Sequence, residues 1–209
     1  MHASRFLYIL EFMEKEEKRP SSGVTDKPRL LLHICCAPCS AYVTRKLEEE
    51  YDLILYFHNP NIHPAEEYAK RRDEAKTWAQ REGLCFMEEA PDVEEWFQKT
   101  SGLEGEPERG ARCQVCFEAR LSQAAAKAVE LGVSYFGTVL SVSPHKDAAV
   151  INRVGMKLGE DTGLDFIEAD FKKKDGFKLS MAKARQNGMY RQDYCGCVYS
   201  MKRARKAPA

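Results

Sequence analysis

Short apolar runs alternate along the chain with longer stretches in which apolar residues recur at helical spacing. "RLLLHICC" (29–36) is mostly hydrophobic and predicts a strand, with a helix following over 40–49. "DLILYFHNP" (52–60) predicts a second strand, and "PAEEYAKRRDEAKTWAQREG" (64–83) opens on proline and closes on glycine as a helix does. "LCFMEEA" (84–90) reads as a third strand, with a helix over 93–99 behind it. "RCQVCFEARLSQAAAKAVELG" (112–132) reads as a long helix closed by Gly132, "VSYFGTVL" (133–140) as strand four, "HKDAAVINRVGMKLGEDTG" as a helix and "LDFIEA" (164–169) as strand five.

Strands separated by helices imply right-handed crossovers and buried parallel pairing. The expectation is therefore an α/β, Rossmann-like fold, a mainly parallel sheet of about five strands flanked by helices. Residues 29–200 are expected to form a single α/β catalytic domain, preceded by an N-terminal helical extension and linker (1–28) and followed by a basic tail (201–209). Ligands in open α/β sheets bind beyond the carboxyl ends of the strands. The loops expected there, "CCAPCS", "HNPNIHP", "SVSPHKD" and "DFKKKDG", carry chemically capable residues, whereas "EEEYD" and "QREG" at the opposite edge are plain. No glycine-rich phosphate loop follows strand one, and cysteines stand where a nucleotide-binding protein would place glycines.

With 209 residues and 44% hydrophobic content the chain is an ordinary globular one. The apolar run from Phe6 to Leu10 is too short for a signal-peptide core. No stretch reaches the roughly 18 to 20 apolar residues of a membrane helix, and a cytoplasmic protein is expected. Net charge is zero, but from Phe171 onward eleven Lys and Arg face two acidic residues, while the preceding 170 residues hold 21 basic and 30 acidic groups. That asymmetry suits either a phosphate-binding side or a solvated tail.

The eight cysteines change the picture most. A cytosolic setting disfavours stable disulfides and points clustered cysteines toward metal or redox chemistry. Cys85 stands alone and is expected to pack as a small buried hydrophobe. The other seven form three clusters: Cys35, Cys36 and Cys39; Cys113 and Cys116 at a helix start, where free amides favour thiolate; and Cys195 and Cys197, whose intervening glycine lets both sulfurs face one centre. A thioredoxin-like dithiol would need only one such cluster. Structural zinc takes four ligands and leaves three cysteines over. An iron–sulfur cluster also takes four, with the remainder free for a second metal. Residue chemistry alone leaves iron–sulfur and zinc both open.

The ordered set "HICCAPCS", "YFHNPNIHPAEEYAKR", "RCQVCFEARL", "GTVLSVSPHKD", "DFKKKDGFKLS" and "YRQDYCGCVYS" resembles the epoxyqueuosine reductase family of the QueH type, over about residues 30–200. The resemblance implies a two-electron deoxygenation of the epoxide of epoxyqueuosine in the tRNA wobble position, without cobalamin, using a 4Fe-4S cluster and an additional mononuclear iron. It implies metal-binding roles for Cys35, Cys36, Cys113, Cys116, Cys195 and Cys197. Cys39 joins them as a ligand or as an inert thiol. The partners implied are tRNA carrying epoxyqueuosine and an electron donor, with no membrane. The epoxide oxygen must leave protonated, for which Asp193, Tyr190 and His145 are candidates. Asn59, Asn61 and His63 are candidates for holding a base or ribose, the competing role being an Asn-Pro turn. His145 and Lys146 are expected to open a helix whose amides attract phosphate. Lys172, Lys173, Lys174, Arg185 and Arg191 are candidates for anticodon-loop phosphates, with Tyr190 or Tyr194 stacking on a flipped base. The alternative is a zinc-stabilised α/β enzyme acting on tRNA or a nucleotide without redox chemistry.

Overall fold

The computed structural model describes residues 26–204; residues 1–25 of the expected N-terminal helical extension and linker (1–28) and residues 205–209 of the basic tail lie outside the described residues. Five strands, β1 (Arg29–His33), β2 (Asp52–Phe57), β3 (Cys85–Glu88), β4 (Tyr135–Thr138) and β5 (Asp165–Phe166), form one sheet in the order β3-β2-β1-β4-β5. Every pairing is parallel. The helices are α1 (Ala37–Leu47), α2 (Ala65–Arg81), α3 (Val93–Lys99), α4 (Ala111–Glu130), α5 (Ala148–Thr162), α6 (Gly176–Gln186) and α7 (Val198–Ala204).

Leu30, Leu31 and Leu32 of β1 are all fully buried, which is why the strand reads as an uninterrupted apolar run. Leu31 shares a core with Ile54, Phe136 and the alanines 124, 125 and 128 of α4. Leu30 and Leu32 face Leu53, Leu55, Val43 and Leu179 on the other side. Small side chains on α4 let that helix sit close to the sheet, while α6 closes against α1.

The chain steps outward from β1 to β2 and β3, then returns to place β4 on the other flank of β1. The order therefore reverses between β1 and β4, which opens a crevice beyond their carboxyl ends. His33 and Thr138 are register partners there, and His33 Nδ1 lies 2.9 Å from Thr138 Oγ1.

Three expectations need correction. Strand four ends at Thr138, whose Oγ1 accepts the Leu140 amide and starts a 3-10 turn, Val139–Val142. Strand five has two residues, being the sheet's edge. Cys85 is exposed rather than buried, because β3 is the other edge strand. The helices α6 and α7 were not foreseen. α6 begins where the backbone is crowded: a Cβ on Gly176 would stand 1.8 Å from the Phe171 carbonyl oxygen and 2.8 Å from the Tyr42 ring. Backbone cannot yield as a flexible side chain can, so Gly176→Ala is expected to cost about 3 kcal/mol, read as a lowered denaturant midpoint with an unchanged slope.

Candidate metal centre

Each of the three cysteine clusters sits at the start of a helix. Cys36 is the extended N-cap of α1 and Cys39 lies in its first turn. The Cys35, Cys36 and Cys39 sulfurs all lie within 4.8 Å of one another. Cys113 falls in the first turn of α4, with Cys116 one turn further on. Cys197 immediately precedes α7, and the Ser200 amide donates to Cys197 Sγ at 3.3 Å while Ser200 Oγ stands 3.1 Å from Cys195 Sγ. None of the three helices carries an acidic residue in its first turn, so their positive dipole ends act on the thiols, tempered at α4 by the Glu106 carboxylate that accepts the Ala111 amide at 2.9 Å. All the cysteines are free.

The third cluster reaches the site because residues 190–197 fold back over the sheet's edge of loops. Arg71, projecting from α2 and almost fully buried, donates to the carbonyls of Tyr194 and Cys195, each at 3.2 Å, and pairs with Glu67 at 2.6 Å. The His63 amide donates to the Gly196 carbonyl at 2.8 Å, and the Tyr194 hydroxyl donates to the His63 carbonyl. Gly196 has φ 116°, and a Cβ there would meet Ile62 at 3.0 Å and Arg71 at 3.1 Å. Glycine is thus required between the two cysteines both by conformation and by space.

Charge at the site is arranged for anions. Arg112 and Arg120 are each 2% exposed. Arg112 donates to the carbonyls of Leu103, Glu104 and Glu106, and Arg120 to Asn59 Oδ1 at 2.6 Å, so among the described residues neither is paired with a carboxylate. Lys146 is half-buried; burial opposes its charge, but Cys35, Cys195 and Cys39 outweigh that and push its pKa up. Hydrogen bonds from Cys36 and Cys39 pull the Cys35 thiol down, while the same contact with Cys35 pushes Cys36 up to about 12. Cys195 is held down chiefly by Cys197, which is pushed up in turn. Burial raises Cys116, against the influence of Arg120 and Trp96. Cys35 and Cys195 are thus the thiols whose ionised form is favoured.

Cys113, Cys116, Cys195 and Cys197 line one cavity with Asn61, Trp96 and Arg120. Trp96 and Arg120 are buried and direct N–H donors at Cys116. Four soft sulfur donors with surplus buried cations and N–H donors fit an anionic, thiolate-ligated metal group. Next to the cavity lies a cleft of about 470 Å³, bounded by Cys39, Cys195, His145, Lys146, Phe177 and Met181 among others.

Of the expected polar residues, His145, Lys146, Arg191, Asp193 and Tyr194 do line this cleft. Tyr190 does not: its hydroxyl donates to Glu67 at 2.9 Å and its ring lies under Lys70, in a separate depression that Asp193 also borders. Asn59 is fully buried, donating to the Ile34 carbonyl and accepting from Arg120, so it is fastened inside the protein rather than offered to a ligand. Asn61 borders the four-cysteine cavity. His63 stacks on Phe97 at 4.9 Å and burial lowers its pKa. His145 and Lys146 precede the N-cap Asp147 instead of opening the helix, and the Asp147 carboxylate takes the Ala149 and Val150 amides, so those amides are not free for phosphate. Arg185 is exposed on the last turn of α6 outside the cleft lining, Lys172 pairs with Asp170, and Lys173 and Lys174 are exposed. Sequence reading missed Arg71, Arg112, Arg120 and Gln192. The signal for Arg112 and Arg120 was their i, i+4, i+8 spacing with Cys116, which puts all three on one face of α4.

The family model for epoxyqueuosine reductase QueH matches residues 30–203. The epoxyqueuosine reductase QueH of Streptococcus pyogenes is 40% identical over 195 residues, covering 90% of this chain and 73% of that one. Its counterpart in Staphylococcus epidermidis is 38% identical over 186 residues, with 84% and 77% covered, and that of Haemophilus influenzae 37% over 180 residues, with 85% and 74% covered. Among solved structures, the U34-tRNA thiolase NcsA from Methanococcus maripaludis with its 4Fe-4S cluster matches with a TM-score of 0.56 at 12% identity, covering 95% of this chain and 69% of that one, a likeness of fold.

The Arg71 clamp has a measurable consequence. Arg71→Met is expected to raise hydrogen exchange at the His63 amide by about 10- to 100-fold, as segment opening becomes easier; Arg72→Met, whose partners Asp73 and Glu88 lie on the surface, is expected to leave it unchanged.

Proposed function

The chain belongs to the epoxyqueuosine reductase QueH family, and from that premise we propose that it is an iron–sulfur tRNA-modifying oxidoreductase. It converts epoxyqueuosine to queuosine at the wobble position, in the cytoplasm and without cobalamin. The observation that carries this reading is the gathering of seven thiols, in a set of four and a set of three, beside one cleft.

Cys113, Cys116, Cys195 and Cys197 would hold the 4Fe-4S cluster, and Cys35, Cys36 and Cys39 the additional mononuclear iron. When bound, these groups supply electrons and a Lewis acid. The protein's own part is to bind, orient and protonate. Arg112, Arg120 and Lys146 offset the negative charge of the thiolates. The substrate ring enters the cleft between Cys39 and the Phe177–Met181 wall of α6. Loss of the epoxide oxygen as water consumes two electrons and two protons, the electrons coming from an external donor. Asp193 and His145 border the cleft and are exposed, so they can take protons from solvent and pass them inward. Arg191 at the cleft, with Arg185, Lys173 and Lys174 on the neighbouring surface, provides the positive side that tRNA phosphates require.

Anaerobically purified protein is expected to contain about four sulfides and about five irons per chain, with Cys195→Ala and Cys197→Ala each losing the sulfide; a colourless protein with one zinc and no sulfide would establish the non-redox alternative instead. Asp193→Asn is expected to keep its iron and sulfide while turnover of epoxyqueuosine tRNA drops about 10²-fold or more; an unchanged rate would remove Asp193 from the proton path. Affinity for tRNA is expected to fall steeply between low and moderate salt, and less steeply for Arg191→Ala.

A further inference from the structure

Gln192 lies between Arg191 and Asp193 and lines the cleft together with Cys39, Phe177 and Met181. Its Nε2 stands 3.1 Å from Cys36 Sγ. The amide nitrogen is the donor of this pair and the sulfur its acceptor. The other end of the amide is thereby fixed: Oε1 is buried and has no partner. A buried acceptor left without a donor destabilises the protein, and a side chain held in that state is suited to a donor arriving with a ligand. Asn61, whose Oδ1 is also buried without a partner, lines the four-cysteine cavity and not the cleft. Gln192 is therefore placed differently from it, at the boundary between the three-cysteine set and the space open to substrate.

The chemistry of the substrate matches this acceptor. The five-membered ring that bears the epoxide in epoxyqueuosine also carries two hydroxyl groups, each a hydrogen-bond donor. Phe177 and Met181, one turn apart on α6, give the ring an apolar wall, and a neutral acceptor beside it reads a hydroxyl without drawing in a cation. We propose that Gln192 is a specificity-determining residue, whose Oε1 accepts a hydrogen bond from a ring hydroxyl of the substrate while Nε2 remains on Cys36. One planar amide then sets the ring's orientation relative to the Cys35, Cys36 and Cys39 sulfurs, which presents the epoxide edge to them. This inference rests on the reductase reading above.

The test uses the metal-loaded enzyme with two tRNA substrates, one bearing epoxyqueuosine and one whose ring keeps the epoxide but lacks the hydroxyls. The native enzyme is expected to lose about 10- to 100-fold in kcat/KM on the second substrate, the range that one unpaired buried hydrogen bond costs. Gln192→Met, close in size and without the acceptor, is expected to lose a similar factor on epoxyqueuosine tRNA, to lose nothing further on the hydroxyl-free substrate, and to retain native iron and sulfide. Equal kcat/KM of the native enzyme on both substrates overturns the proposal with no variant needed. So does a Gln192→Met enzyme that loses iron, which would make the residue a support of the metal site, or one that discriminates between the two substrates as the native enzyme does. Absence of turnover by the native enzyme on either substrate defeats the reductase reading itself, and this inference with it.

Discussion

Seven sulfurs beside one cleft pose an electrostatic problem, because a buried thiolate loses its water and an isolated charge in low dielectric is costly. The protein meets it with backbone and side chains together. Each cluster lies at the N-terminus of a helix, so positive dipole ends are directed where negative charge collects. Arg112 and Arg120, without carboxylate partners, and Lys146 between the two sets add full positive charges. Most other features of the site follow from this requirement: which residues may be buried, where glycine is obligatory, and why the C-terminal segment must return to the sheet.

The fold supplies the meeting place. A parallel sheet whose strand order reverses between β1 and β4 leaves one crevice that no crossover helix covers. The loop after β1 brings Cys35, Cys36 and Cys39 to it, and the turn after β4 brings His145 and Lys146. The long return from β3 to β4 presents the first turn of α4. Residues far apart in the chain thus share one site without any irregular excursion of the strands. The His33–Thr138 contact joins the two strands at the point where the crevice opens.

Much of this was legible in the sequence. Uninterrupted apolar runs mark parallel strands, and all five were located; the cysteine clusters pointed to the candidate site, where Cys195 and Cys197 line one cavity. What stayed hidden depends on tertiary context. A mid-helix arginine such as Arg71 looks like any solvated charge until Tyr194 and Cys195 are found beside it. Asn59 and Asn61 look equivalent in "HNPNIHP", yet one is fastened to Arg120 and Ile34 while the other borders the metal cavity. His145 and Lys146 were assigned to a helix start because the pattern could not tell an N-cap aspartate at 147 from a first-turn residue. α6 was missed because its lysines and arginines dilute the apolar stripe that Leu179 and Ala184 provide.

The distribution of the cysteines along the chain also orders the protein's assembly. Residues 190–197 follow the first two thiol clusters in the chain, so the segment that closes the site is the last of its parts to be made. Arg71 engages the Tyr194 and Cys195 carbonyls, and the site closes. The guanidinium on α2 thereby acts as a latch, and two backbone carbonyls are enough to hold the third cysteine pair against the other thiols.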